Sequence, residues 1–216
     1  MDYICGLTFA PFVPAGIVAS DEAKHSLRVM KERTGCNFVI FAPSAVQDHA
    51  TSEEIDFTSP GTMRDDELRE IIDEAHSLGL RTAIKPTVNC KDGTWRAHIH
   101  FFDEDVPCEP KWGNWFKSYT DYQCHFAHIA EEMRCEMFIA GCEMVMTDHR
   151  DTEWRRLISD IRDVYHGLVS YNCDKYQEHN VHWWDAVDVI SSSGYYPIDD
   201  WDRQLDRIEA VVRNYD

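Results

Sequence analysis

Short apolar runs alternate along this chain with longer segments whose apolar residues recur every three or four positions. The runs, at residues 3–9, 36–42, 80–85, 136–143, 168–172 and 186–191, have the length and continuity of buried strands. The longer segments read as amphipathic helices. The first starts near Ser20, places Ala23, Leu27 and Met30 on one face and stops at Gly35; the second is capped by Thr62, carries Leu68, Ile71, Ile72, Ala75 and Leu78, and stops at Gly79. Residues 112–133 form the longest, with Trp115, Phe116, Tyr119, Tyr122, Phe126, Ile129 and Ala130 in register. Another from about Thr152 buries Trp154, Leu157, Ile158, Ile161 and Val164, and a last one aligns Trp201, Leu205, Ile208 and Val211.

Strict alternation of strands and helices predicts a parallel sheet with right-handed crossovers, doubly wound or rolled into a barrel. No GxGxxG or GxxxxGK[ST] follows any strand, so the phosphate-cradling open sheets lack their loop chemistry. The expected fold is therefore the (β/α)8 TIM barrel. Such a barrel takes about 250 residues. Six of its eight units are expected here, so residues 1–216 read as a single barrel catalytic domain that lacks its last two units.

With 21 Lys and Arg against 39 Asp and Glu, the formal charge is −18, which opposes binding to phosphate backbones and favours neutral over anionic polymers. Neither nucleic acid nor membrane is an expected partner: no apolar run approaches a bilayer span, and the first residues lack a signal peptide's basic start. The expected location is cytoplasmic. The eight cysteines include no CxxC, and several sit in apolar runs, so they read as thiols.

In a barrel of this kind the reacting groups gather at the C-terminal ends of the strands. Lys85 closes the third strand, with Asn89, Trp95 and Arg96 in the loop after it; Glu143 closes the fourth; Tyr171 and Asn172 close the fifth; Tyr195 and Tyr196 follow the sixth. Glu143 is preceded by six apolar or small residues, and a carboxyl on such a strand is partly desolvated. Desolvation favours the protonated form that a general acid needs near neutral pH. The plainer readings are a glutamate that caps the next loop or pairs with Arg150.

The segments Thr34-Gly35-Cys36-Asn37-Phe38-Val39, Ala75-His76-Ser77-Leu78-Gly79-Leu80-Arg81, Lys85-Pro86, Gly93-Thr94-Trp95-Arg96, Trp115-Phe116-Lys117-Ser118-Tyr119, Gly141-Cys142-Glu143 and Gly194-Tyr195-Tyr196-Pro197 carry a family resemblance by their order and spacing. Together they resemble glycoside hydrolase family 113, the β-1,4-mannanases, within the clan of retaining (β/α)8 glycosidases. The resemblance implies hydrolysis of a neutral β-linked polysaccharide or oligosaccharide, β-mannan first, without a cofactor or metal. It implies Glu143 as the acid/base and a glutamate at the end of a seventh strand as the nucleophile, expected roughly ten residues past Asp216 from the length of a strand. Tyr196, or Tyr195 if the register slips, would orient that nucleophile, and Trp95 would stack on a pyranose face. Lys85, Asn89 and Arg96 would bond hydroxyls. By their places on the same end of the barrel, Asn172, Tyr195 and one of the pair Trp183 and Trp184, with Trp183 taken first, are further expected substrate contacts. The chain departs from the clan at Cys142, where many members carry Asn, and at Ser191-Ser192-Ser193.

Two other readings compete. His98-Ile99-His100 would point two imidazoles the same way on an extended segment, as a metal-dependent barrel hydrolase requires, although such enzymes place the pair on the first strand. A non-catalytic carbohydrate-binding remnant would keep the aromatic subsites without turnover.

Overall fold

The computed structural model describes residues 3–10, 13–59 and 62–196. In chain order its elements are β1 (Gly6–Phe9), α1 (Asp21–Thr34), β2 (Phe38–Phe41), β3 (Ser44–Gln47), α2 (Asp65–Ser77), β4 (Arg81–Ile84), β5 (Thr87–Cys90), α3 (Trp112–Glu132), β6 (Met137–Cys142), α4 (Asp151–Val164), β7 (Leu168–Asp174) and β8 (Val189–Ser193). Six strands form one all-parallel sheet in the order β1-β2-β4-β6-β7-β8. The order follows the sequence and never doubles back. A doubly wound sheet reverses at a switch point, so this order belongs to a barrel wall.

The two faces of the sheet confirm that curvature. Val39, Phe41, Ile84, Phe138, Ala140, Val169 and Tyr171 pack with the helical residues Leu27, Ile71, Trp115, Phe126 and Leu157 in the main core. Alternate residues Phe38, Ala83, Met137 and Ile139 form a second cluster with Ile40, Leu168 and Val189, to which no helix among the described residues contributes. Period-two alternation thus divides the strands between an outer, helix-covered face and an inner one filled by their own side chains.

The local signals act as their chemistry requires. Ser20 caps α1, its hydroxyl accepting the Ala23 N–H at 3.2 Å, and Gly35 ends it at φ 68° with its N–H on the Lys31 carbonyl. The cap expected at Thr62 lies elsewhere: Thr62 donates to the Ser59 carbonyl, and α2 begins after Arg64, whose N–H is taken by Glu67 reaching back from the first turn. A glutamate at that position satisfies an orphan donor as well as a hydroxyl cap does. The reading of 201–211 as a helix lies outside the described residues.

Two strands were not expected. After β2 and β4 the chain meets Pro43 and Pro86, which cannot donate to the ladder, and then resumes as β3 and β5, a separate parallel pair above the barrel wall. Tyr122 of α3 ties this pair down, its hydroxyl lying 3.0 Å from the Pro43 carbonyl and 2.9 Å from that of Thr87.

Candidate active site

β6 delivers Glu143 to the C-terminal rim. One extra residue is inserted between Ile139 and Cys142 relative to Ser170 and Asn172 of β7, a bulge that re-aims the end of the strand. Gly141 makes it possible: a Cβ there would lie 2.9 Å from the Tyr119 hydroxyl and 3.0 Å from the rings of both Trp154 and Tyr171. Glu143 then turns into the left-handed region at φ 56°, which for a residue with a side chain costs about 1 kcal/mol or more. Its N–H is held by the Asn172 carbonyl at 2.8 Å.

The Glu143 side chain is 17% exposed and has neighbours on both oxygens. Ser193, at the end of β8, donates to Oε1 at 2.7 Å. Arg96 Nη1 and Trp95 Nε1 each approach Oε2 at 3.4 Å. Arg96 is itself fixed, donating to the Val88 carbonyl at 3.0 Å and to Asn89 Oδ1 at 2.9 Å. Trp95 presents 44% of its surface to solvent, leaving a ring beside the carboxyl open to a ligand. One oxygen is therefore tightly bound and the other only loosely.

The geometry sorts the remaining sequence candidates. Asn89 serves Arg96, and Asn172 donates to Ser193 at 3.0 Å while its carbonyl anchors Glu143, so both lie around the carboxyl. Lys85 is half-buried at the end of β4, close enough for its charge to act on the Cys142 thiol, whose pKa burial raises. Tyr195 is mostly exposed, its carbonyl accepting from Lys175 at 3.2 Å. Tyr196 donates to Glu178, which also accepts from Ser192 at 2.6 Å.

Trp183 requires a correction. The expectation that it contacts substrate fails because its ring is fully buried, stacked at 4.7 Å on Trp154, with its N–H on the Asp148 carbonyl at 3.1 Å. Arg150 does not pair with Glu143; it binds Glu153 and Asp103. His98 closes a 3-10 turn over Arg96–His98 instead of lying on an extended strand, and His100 Nδ1 lies 2.8 Å from the His98 carbonyl, so the two imidazoles are not presented side by side as on a strand. Ser193 was missed, although its place at a strand end was the available signal.

The model of Glycoside Hydrolase Family 113 matches residues 7–216. The chain belongs to this family. Two solved GH113 structures support the assignment. A GH113 β-1,4-mannanase complex shares 59% identity at a TM-score of 0.91, over 100% of this chain and 70% of that one. The GH113 β-mannanase AaManA from Alicyclobacillus acidocaldarius, in complex with ManMIm, shares 42% at 0.87, over 99% of this chain and 67% of that one. The exo-β-1,4-mannosidase Op5Man5 from Opitutaceae bacterium strain TAV5, at 17% identity and 0.55, shares the fold. No curated protein matches the GH113 chain.

Proposed function

We propose that this GH113 chain hydrolyses β-1,4-linked mannan or manno-oligosaccharides by a retaining two-carboxylate mechanism, with Glu143 as acid/base. The observation that carries the assignment is the asymmetric hold on the Glu143 carboxyl at the strand rim. Ser193 holds Oε1 at 2.7 Å, whereas among the described residues Oε2 has neighbours only at 3.4 Å, which supports Oε2 as the oxygen that gives and takes a proton. The half-exposed Trp95 ring beside Oε2 offers a flat apolar surface that matches the C–H face of a pyranose. A sugar stacked there would bring its glycosidic oxygen toward Oε2.

In the first step the nucleophilic carboxylate attacks the anomeric carbon while Glu143 protonates the departing oxygen; in the second, Glu143 takes a proton from water that attacks the glycosyl ester. The two carboxyls must stand about 5 Å apart. We assign the nucleophile to a glutamate at the end of a seventh wall strand after Asp216, which would continue the wall formed by β1, β2, β4, β6, β7 and β8. The GH113 neighbours extend beyond the matched part, the chain covering 70% and 67% of them, in support of that assignment. Tyr196 is the proposed partner of that carboxylate, Lys85 and Arg96 are proposed to meet sugar hydroxyls, and Tyr195 is a proposed rim contact.

The test compares manno-, cello- and xylo-oligosaccharides as substrates of the full-length protein beside Glu143→Gln. The variant should lose about 100-fold or more in kcat/KM on mannotetraose, the scale of general acid catalysis. It should retain cleavage of a dinitrophenyl β-mannoside, whose leaving group needs no proton. Full activity of Glu143→Gln on mannotetraose would refute the assignment.

A further inference from the structure

The left-handed turn at Glu143 is gripped on both sides by consecutive residues of β7. The Glu143 N–H goes to the carbonyl of Asn172, and the Met144 N–H goes to the hydroxyl of Tyr171 at 3.2 Å. The peptide planes flanking the Glu143 Cα are thus set by one strand. A strained conformation persists only where its surroundings over-determine it.

The Tyr171 hydroxyl has one proton and gives it to Oδ1 of Asp148 at 2.5 Å, which leaves its lone pairs facing Met144. Asp148 is 1% exposed, and among the described residues its second oxygen has no partner. The backbone of Thr147 and Asp148 is held by three hydrogen bonds. Trp183 donates to the Asp148 carbonyl at 3.1 Å, Trp154 donates to the Thr147 carbonyl at 3.0 Å, and the Thr147 N–H closes back on Met144 at 2.7 Å. The buried tryptophan pair therefore supports the short loop that leaves the catalytic glutamate.

We propose that Tyr171 and Asp148 are positioning residues for Glu143: the chain Asp148 carboxyl, Tyr171 hydroxyl, Met144 N–H fixes the peptide after Glu143 and so aims Oε2 at the glycosidic oxygen. Neither residue touches substrate. The inference rests on the acid/base reading of Glu143. Misaiming the carboxyl should weaken only the reactions that need its proton.

The experiment measures kcat/KM of the full-length protein on mannotetraose and on a dinitrophenyl β-mannooligoside, which reports glycosylation without protonation. Tyr171→Phe should lower the first about 30-fold, part of what general acid catalysis supplies, and the second less than about threefold. Asp148→Ala should give the same split without altering the tyrosine ring, and serves where Tyr171→Phe does not fold. Asp148→Asn, which keeps an oxygen for the Tyr171 hydroxyl, should return the ratio of the two substrates to within about threefold of wild type. Equal losses on both substrates, or no loss, in Tyr171→Phe and Asp148→Ala would overturn the proposal while Glu143→Gln still shows its own split. If Glu143→Gln loses both substrates equally, the acid/base reading falls and the positioning role falls with it.

Discussion

Replacing Asp148 by Asn isolates a titration that should run opposite to the usual carboxylate. Burial raises the Asp148 pKa from 3.8 to about 7; the Tyr171 hydrogen bond opposes the rise and the charge of Asp174 adds to it. Unfolded, the group ionises near its ordinary value. Between that value and about 7 the folded protein holds a proton that the unfolded chain has released. The folded state is therefore favoured at low pH, and stability from this group is lost as pH rises, levelling off once the folded carboxyl has ionised as well. At 1.36 kcal/mol per pH unit, the span amounts to about 4 kcal/mol. Asparagine cannot ionise, so the difference in unfolding free energy between variant and wild type carries this contribution while the other titrations cancel. Urea unfolding, followed by tryptophan fluorescence from about pH 4 to about pH 8, should show Asp148→Asn gaining about 4 kcal/mol on wild type across that range. Whatever fixed penalty the new amide brings, the slope remains. A difference that stays flat to within about 1 kcal/mol, or that favours wild type as pH rises, would refute the buried, protonated carboxyl.

Three further substitutions test the architecture around Glu143. Gly141→Ala would push a methyl into Tyr119, Trp154 and Tyr171, all packed in the core, and should destabilise by about 1–3 kcal/mol in urea unfolding. Unchanged stability would show that the bulge can relax. Ser193→Ala removes the 2.7 Å bond to Oε1 and should lower kcat on mannotetraose about tenfold, about 1.4 kcal/mol of barrier, with KM little changed; an effect confined to KM would place Ser193 in substrate binding instead. Trp95→Ala should raise KM for mannotetraose about tenfold, since a stacked aromatic is worth about 1 kcal/mol beyond its buried area. An unaltered KM would leave that ring without a sugar to stack on.

Whether a feature could be read from the sequence depended on the range over which its signal acts. Ser20, Gly35 and Gly79 act on neighbours within a turn, so helix ends could be read directly, and the stripe from Trp115 to Ala130 fixed the buried face of α3 by spacing alone. Alternation placed Glu143 at a strand end, and hence on the rim, before any contact was known. β3 and β5 escaped because four residues after a proline are too few for a period to show, and their pairing is to each other across more than forty positions of chain. Trp183 escaped for a different reason. Its position in a connection between strands gives no hint that Trp154, from the preceding helix, reaches across to stack on it, and only the fold turns a residue expected to meet sugar into one that braces the loop. The same holds for Tyr171: alternation along β7 sends it to the outer face, yet the outer face is where the backbone just after Glu143 is accessible to it. In a barrel of this kind the inner face is packed and substrate meets the C-terminal rim, and the residues proposed to aim the Glu143 carboxyl stand behind that rim, among the aromatics of the core.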